Sequence, residues 1–243
     1  MRLTRVGELV LVRHGETTMN CVYEKNRAPY FQNCRERENV GILQDRFEPL
    51  TKKGLAQSRR VGRDLKDLFG VPSHLFHSGF KRTIQTTEQL LRAYKQKELR
   101  QIFVKECHLV RERNAGYLRT LTQDEVKEFF PWWETYWSTT DSFSVIPLGG
   151  ESIASICEGR LTQFLRGLDD LPWKGQKHKI FVVSHSRAIT GMRYLLEGWD
   201  YDTVVRHLQH TNVLNCSITS YLFDNQGRPF LSLANKLVIK FSK

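Results

Sequence analysis

Two short apolar runs do most to decide what this chain can fold into. Glu8–Val12 reads ELVLV and Lys179–Ser184 reads KIFVVS, and each runs straight into a reactive or charged side chain, Arg13-His14-Gly15 in one case and His185 in the other. Runs of that length without polar alternation are strands buried on both faces, the pattern of a parallel sheet covered by helices. Helical spacing fills the intervals between them. Thr51 predicts the N-cap of a helix that carries Leu55, Val61, Leu65, Leu68 and Phe69 and stops at Gly70. Further helices are expected over Lys81–Lys95, with Ile84, Leu90 and Leu91 inward, over Thr122–Phe130, over Gly150–Leu171 and over Ser186–Glu197. Thr122 and Glu125 have the spacing of a capping box, and Pro131 ends that helix. Leu75–His77, Gln101–Val104, Ser217–Phe223 and Leu237–Phe241 read as the remaining strands. Strands alternating with helices imply one α/β domain over residues 1–243, a length sufficient for a single large core. The polar stretch from about 21 to 49, with Pro29, Asn33, Asn39, Gly41 and Pro49, reads as an irregular loop insertion.

In such a sheet, ligands bind beyond the carboxyl ends of the strands. Three places put chemistry at that edge: Arg13-His14, Ser78–Arg82, and His185. Two arginines and two histidines converging on one crevice describe a phosphate site. A guanidinium presents a planar fork of donors to phosphate oxygens, and a neutral imidazole is a good nucleophile toward phosphorus. Gly15 would let the backbone approach the anion.

Composition narrows the partners. The formal net charge of +11 suggests polyanionic ligands, but runs such as Arg35-Glu36-Arg37-Glu38 mix signs, and there is no long Lys/Arg block or nucleic-acid motif. Most of the charge therefore reads as a solvated basic surface, and nucleic acid is not expected. No window approaches the roughly 18 apolar residues of a membrane span, and no signal peptide is apparent, so a cytoplasmic protein is expected. The five cysteines are scattered without a C-x-x-C pair, the usage of a reduced intracellular chain without zinc. Asn215-Cys216-Ser217 fits a glycosylation sequon only by chance on that reading.

The ordered set of motifs says more than any one of them. Leu11-Val12-Arg13-His14-Gly15-Glu16-Thr17 closely resembles the phosphohistidine signature of the histidine phosphatase (phosphoglycerate mutase-like) superfamily, branch 1. Ser78-x-x-x-Arg82-Thr83 resembles its second-arginine segment, Ser184-His185 its second-histidine segment, Leu50-Thr51-x-x-Gly54-x-x-Gln57 its first helix start, and Gly149-Gly150-Glu151-Ser152 its G-E-S helix start. The resemblance runs from about residue 8 to 223. It implies a three-layer α/β/α sandwich with a mostly parallel central sheet and a variable cap region at about 117–149. It also implies a phosphoryl group passed to His14, with Arg13, Arg82 and His185 binding and neutralising it. Glu112, in Leu109-Val110-Arg111-Glu112-Arg113-Asn114-Ala115-Gly116, matches the proton donor, with Glu151 as its alternate. Asn20, Thr17 and Ser186 match phosphate- or substrate-contacting positions, Ser186 standing where many members have Gly. No metal and no cofactor is implied, because the arginines supply the charge that Mg²⁺ supplies elsewhere.

The expected partner is a phosphorylated small molecule or phosphopeptide, and a homodimer stays open. The aromatics Phe129, Phe130, Trp132, Trp133, Tyr136 and Trp137 either wall the substrate pocket or pack the cap. HLVRERNAGYL and Asn212–Ile218 resemble the phosphatase branch more than the glycolytic mutases, which favours hydrolysis. A cofactor-dependent phosphoglycerate mutase and a non-catalytic phospho-ligand-binding member remain the alternatives.

Overall fold

The structure, a computed structural model, describes residues 1–26, 30–41, 44–172 and 175–237. Six strands, β1 (Val6–Arg13), β2 (His74–His77), β3 (Phe103–Glu106), β4 (His178–Ser184), β5 (Ile218–Phe223) and β6 (Pro229–Lys236), form one sheet in the order β3-β2-β4-β1-β5-β6. The first four run parallel, and β5 and β6 are antiparallel additions at one side. β1 lies inside the sheet, with Leu11 opposite Val182 of β4 and Thr219 of β5.

Alternation along the inner strands divides the core in two. Leu9 and Leu11 join Phe76, Ile180 and Val182 on one face, against Ile156, Leu161, Ile189 and Met192. Val10 and Val12 join Leu75, Phe181 and Val183 on the other, against Val61, Leu65 and Leu90. Both faces of β1 are therefore apolar, as its unalternated sequence requires, and each fully buried aliphatic side chain contributes roughly 1.5–3 kcal/mol. The result is helix, sheet, helix in three layers.

The helices in chain order are α1 (Thr18–Asn26), α2 (Cys34–Val40), α3 (Lys52–Phe69), α4 (Lys81–Leu91), α5 (Gln96–Leu99), α6 (Gln123–Phe129), α7 (Trp133–Thr139), α8 (Ile153–Ile156), α9 (Thr162–Gly167), α10 (Ser186–Glu197) and α11 (Tyr201–His210). Thr51 caps α3 by accepting from the Gly54 N–H at 2.9 Å, and Thr122 and Glu125 close the capping box of α6. Among the described residues no helix is long and apolar enough to cross a membrane.

Several expectations change. The segment 21–49 is not a structureless loop: it carries most of α1, then α2, capped by Asn33 and closed by Gly41, and a 3₁₀ turn at Asp45–Phe47. Polar composition concealed it, because α2 buries no residue and has no apolar stripe. The helix from Lys81 ends at Leu91, and its buried face is mainly polar: Arg82, Thr83, Thr86, Thr87 and Gln89 with Leu90, while Ile84 and Leu91 are only partly covered. The strand expected from Gln101 begins at Phe103 and lies exposed at the sheet edge. The helix expected from Gly150 begins at Ile153 and is interrupted by a π turn at Cys157–Leu161. β6 precedes the strand expected over Leu237–Phe241, whose residues from 238 on lie outside the described ones. α11 was not expected, although Asp200 caps it and Val204 and Leu208 bury one side.

Candidate active site

The carboxyl end of β1 delivers Arg13 and His14 to the sheet edge, where neighbouring backbone clamps them. The His14 N–H donates to Ser184 O at 3.0 Å, and Arg13 O accepts from the Cys216 N–H at 3.0 Å. Asn215 Nδ2 donates to His14 O at 3.0 Å, and Gly15 N to Thr86 Oγ1 at 3.1 Å. A Cβ on Gly15 would stand 2.4 Å from Gly54 O, so the loop packs against the first turn of α3 at a distance that only glycine permits.

His14 is 3 % exposed. Its Nδ1 lies 2.7 Å from Gly15 O, and a carbonyl can only accept, so Nδ1 carries the proton and the Nε2 lone pair is free. Burial, then the charges of Arg82 and Arg13, hold its pKa well below the usual histidine value, so the ring is neutral at pH 7.

His185 lies beside it, the two rings edge to face with centroids 5.1 Å apart. Arg82 Nε, which can only donate, reaches His185 Nδ1 at 3.3 Å, and His185 Nε2 is 2.8 Å from Ser78 Oγ. That assigns the second histidine as neutral with its proton on Nε2. Burial is the first cause of its depressed pKa, followed by Arg82.

The two arginines differ in how far they are satisfied. Arg82 Nη1 donates to Asp45 O (2.7 Å) and Oδ1 (2.8 Å), and Nη2 to Asp45 Oδ2 (3.3 Å). With Nε on His185, four of its five N–H groups are engaged. Arg119 completes the cluster, 3.0 Å from Asp45 Oδ1 and 2.9 Å from Glu48 Oε2. Arg13 by contrast bonds only Val213 O through Nη1 among the described residues, and its buried Nε has no partner. Burial pushes Arg13 down to about 10, which leaves it charged at neutral pH.

Glu112 is held at the start of α10. Its Oε1 accepts N–H bonds from Arg113 (2.9 Å), Arg187 (3.1 Å) and Ala188 (3.2 Å), whereas Oε2 receives only a 3.3 Å bond from Arg187. The segment leading to it is stapled by Arg160, which donates to the carbonyls of Leu109 (3.0 Å) and Glu112 (2.9 Å) and to Arg111 O. Arg160 sits in the π turn, a kind of helix irregularity often found at functional sites. Glu151 pairs with Arg160 at 3.2 Å and accepts the Asn114 N–H at 2.9 Å, so it braces this segment from outside.

Thr17 and Asn20 cap one another at the start of α1: Thr17 N donates to Asn20 Oδ1 (3.2 Å) and Asn20 N to Thr17 Oγ1 (3.3 Å). Asn20 Oδ1 also accepts from Asn215 Nδ2 at 2.9 Å, so any contact it makes with an anion must come from its own Nδ2. Ser186 opens α10 directly after His185, half-buried. The cap aromatics pack on one another: Trp133 is buried in a cluster with Leu118, Val126 and Val145, while Phe129, Trp132 and Trp137 are exposed. Sequence reasoning missed Asp45, Glu48, Arg119, Arg160, Arg187 and Asn215. Each acts through contacts far apart in the chain, for which local pattern carries no signal. Among the described residues no group of three or more His, Cys, Asp or Glu side chains could hold a metal ion.

Comparison with known proteins bears on the family and the fold. The sequence pattern of the histidine phosphatase superfamily (branch 1) matches residues 9–236. The 2,3-bisphosphoglycerate-dependent phosphoglycerate mutase of Methylorubrum extorquens (strain PA1) is 26% identical over 197 residues, 81% of this chain and 82% of the mutase. Phosphoglycerate mutase-like protein 4 of Arabidopsis thaliana is 28% identical over 186 residues, 76% of this chain and 69% of that protein. A mycobacterial glucosyl-3-phosphoglycerate phosphatase solved with inorganic phosphate has the same fold, with TM-score 0.67, 18% identity, and 95% of this chain and 98% of that one covered. So does a phosphoserine phosphatase from Entamoeba histolytica in complex with 3-phosphoglyceric acid, with TM-score 0.64, 23% identity and coverage of 95% and 97%.

Proposed function

This chain belongs to the histidine phosphatase superfamily, branch 1, and we propose that it is a phosphomonoester hydrolase that works without a metal, through a phosphohistidine on His14. The observation that carries the reading is the buried, neutral His14, its Nδ1 proton committed to Gly15 O and its Nε2 free beside His185 and the Arg13 guanidinium. In this mechanism Nε2 attacks phosphorus, and a P–N bond forms as the ester P–O bond breaks. The leaving alkoxide takes a proton from Glu112, carried on Oε2, the oxygen with the fewer N–H partners. Glu112 then accepts a proton from the attacking water, the P–N bond breaks, and phosphate leaves. Arg13 and the remaining N–H of Arg82 stabilise the charge on the equatorial oxygens, and His185, accepting from Arg82 Nε and donating to Ser78, orients that guanidinium. Asn20, Thr17 and Ser186 line the same edge. On this reading residues 1–243 are one domain, and the described parts of 21–49 and of 117–149 flank the crevice.

The phosphatases among the structural neighbours support hydrolysis, and the mutases among the sequence relatives support transfer between phosphoglycerates as the second reading. Hydrolysis of an aryl phosphate in EDTA tests the first. Wild type should release phosphate and be labelled at one acid-labile position, and His14→Ala should do neither. A few per cent of activity left in His14→Ala would sink the assignment. Transfer dependent on a bisphosphorylated primer, with no net hydrolysis, would establish the mutase.

A further inference from the structure

A series of hydrogen bonds beside the two histidines can run in one direction only. Arg82 Nε reaches His185 Nδ1 at 3.3 Å, and His185 Nε2 lies 2.8 Å from Ser78 Oγ. Ser78 Oγ lies 2.9 Å from Thr83 Oγ1, and Thr83 Oγ1 lies 2.8 Å from Phe80 O. At one end stands a guanidinium N–H, which can only donate, and at the other a carbonyl, which can only accept. Each group between them could face either way in isolation, but not between these ends. His185 Nδ1 must be bare, so its proton sits on Nε2 and is given to Ser78. Ser78 must then donate to Thr83, and Thr83 to Phe80 O.

Water does not take over these bonds. Ser78, Thr83 and His185 are 0 % exposed and Arg82 is 3 % exposed, so a hydroxyl turned the wrong way would leave a buried donor unmatched. Ser78 Oγ also accepts the Phe80 N–H at 3.3 Å, which with His185 fills its acceptor capacity. The series closes on itself. It leaves α4 through the side chain of Arg82 and returns through the next residue, Thr83, to Phe80 O, which also accepts the Thr83 and Ile84 N–H groups at 2.8 and 3.0 Å. The Phe80 ring covers the loop so formed, with the Arg82 guanidinium 4.8 Å above it and the His185 ring edge-on at 5.2 Å. A valine at position 83 would fill the same space as threonine but could not give the series a direction.

We propose that Thr83, acting through Ser78, is a positioning residue: its hydroxyl fixes His185 as the Nε2–H tautomer, and so holds the Arg82 guanidinium in the orientation it presents to a phosphoryl group. This rests on the hydrolase reading for what Arg82 grips, but not for the order of the protons.

Nitrogen NMR of the full chain with ¹⁵N-labelled histidines reads the tautomer directly, the His185 signals being those lost in His185→Asn. In wild type Nε2 should be protonated and Nδ1 bare. Thr83→Val leaves the Ser78 proton with only His185 to turn to, so both tautomers should appear. Its Kd for inorganic phosphate, measured by calorimetry, should rise at least 5-fold. Thr83→Ser should restore the single tautomer and the affinity, which a merely space-filling role would not require. Ser78→Ala should weaken phosphate at least as much, and adding Thr83→Val to it should change little, because the two act in series. Wild-type His185 protonated on Nδ1 overturns the proposal without any variant. A single unchanged tautomer or unchanged phosphate affinity in Thr83→Val also overturns it, as do additive losses in the double variant. None of these measurements needs turnover. A protein with the expected tautomer that hydrolyses no ester would defeat the hydrolase alone, and brisk hydrolysis with Nδ1 protonated would defeat the ordered series alone.

Discussion

Asp45 holds Arg82 through three atoms, its carbonyl and both carboxylate oxygens, at 2.7, 2.8 and 3.3 Å. A carboxylate there competes with any phosphate that approaches the same guanidinium. Asp45→Asn keeps an acceptor but removes the charge. The inhibition constant of inorganic phosphate should fall about 3- to 10-fold, in line with the 1.5–3 kcal/mol of a charged hydrogen bond largely offset by the new one to phosphate. Weaker phosphate inhibition would mean that Asp45 positions Arg82 for the anion instead of competing with it.

Glu112→Gln removes the proposed proton donor and keeps the shape. Turnover of an alkyl phosphate should drop roughly 10²- to 10⁴-fold, and that of a dinitrophenyl ester, whose leaving group needs no proton, far less. Arg160 staples the carbonyls that lead to Glu112, and on the proposed mechanism it serves the same step. Arg160→Gln should reproduce the leaving-group pattern in milder form and add little to Glu112→Gln in the double variant. Full additivity would place Arg160 outside the proton-transfer step.

Gly54 meets Gly15 across a close backbone approach, where a Cβ would lie 2.2 Å from Glu16 O. Backbone cannot yield as a side chain does. Gly54→Ala should cost about 3 kcal/mol, the upper end of overpacking, and lower Tm by roughly 6–12 °C for a chain of this size. An unchanged melting curve would show that α3 slides freely against the His14 loop.

Acid should weaken the fold. His14 and His185 are held neutral, with folded pKa values below the ordinary one, and His74, His77, His178 and His207 shift the same way. Below the unfolded-state value of about 6.5 the unfolded chain binds protons that the folded chain refuses, so stability falls with pH in that window and is flat above it. Urea midpoints at pH 8, 7, 6 and 5 test this, and His185→Asn should shallow the slope. A midpoint that rises on acidification would mean that these rings are charged in the fold.

What the sequence disclosed and what it hid divide along chemical lines. β1, β4, α3 and α10 follow from local apolar pattern and caps, and His14 and His185 follow from the ends of the two strands. The polar buried face of α4 defeats an apolar-stripe reading because its burial serves the His14 loop, with Thr86 accepting from Gly15. Asn215 reads as a stray sequon, yet it spans 201 residues to hold the His14 carbonyl. Arg187 resembles any surface arginine until the fold brings its backbone N–H onto Glu112. Supporting groups of this kind are defined by pairing across the sheet, which neighbouring residues cannot encode.

The interior position of β1 has a kinetic corollary. Its amides are hydrogen-bonded to β4 on one side and β5 on the other, with apolar layers above and below. Proton–deuteron exchange at Leu9–Val12 should therefore require global unfolding, while α2 and the Asp45 turn, which bury no side chain, exchange through local openings. The proposed nucleophile is thus mounted on the last part of the molecule to open, and any movement that admits substrate has to come from the segments around β1 and not from β1 itself.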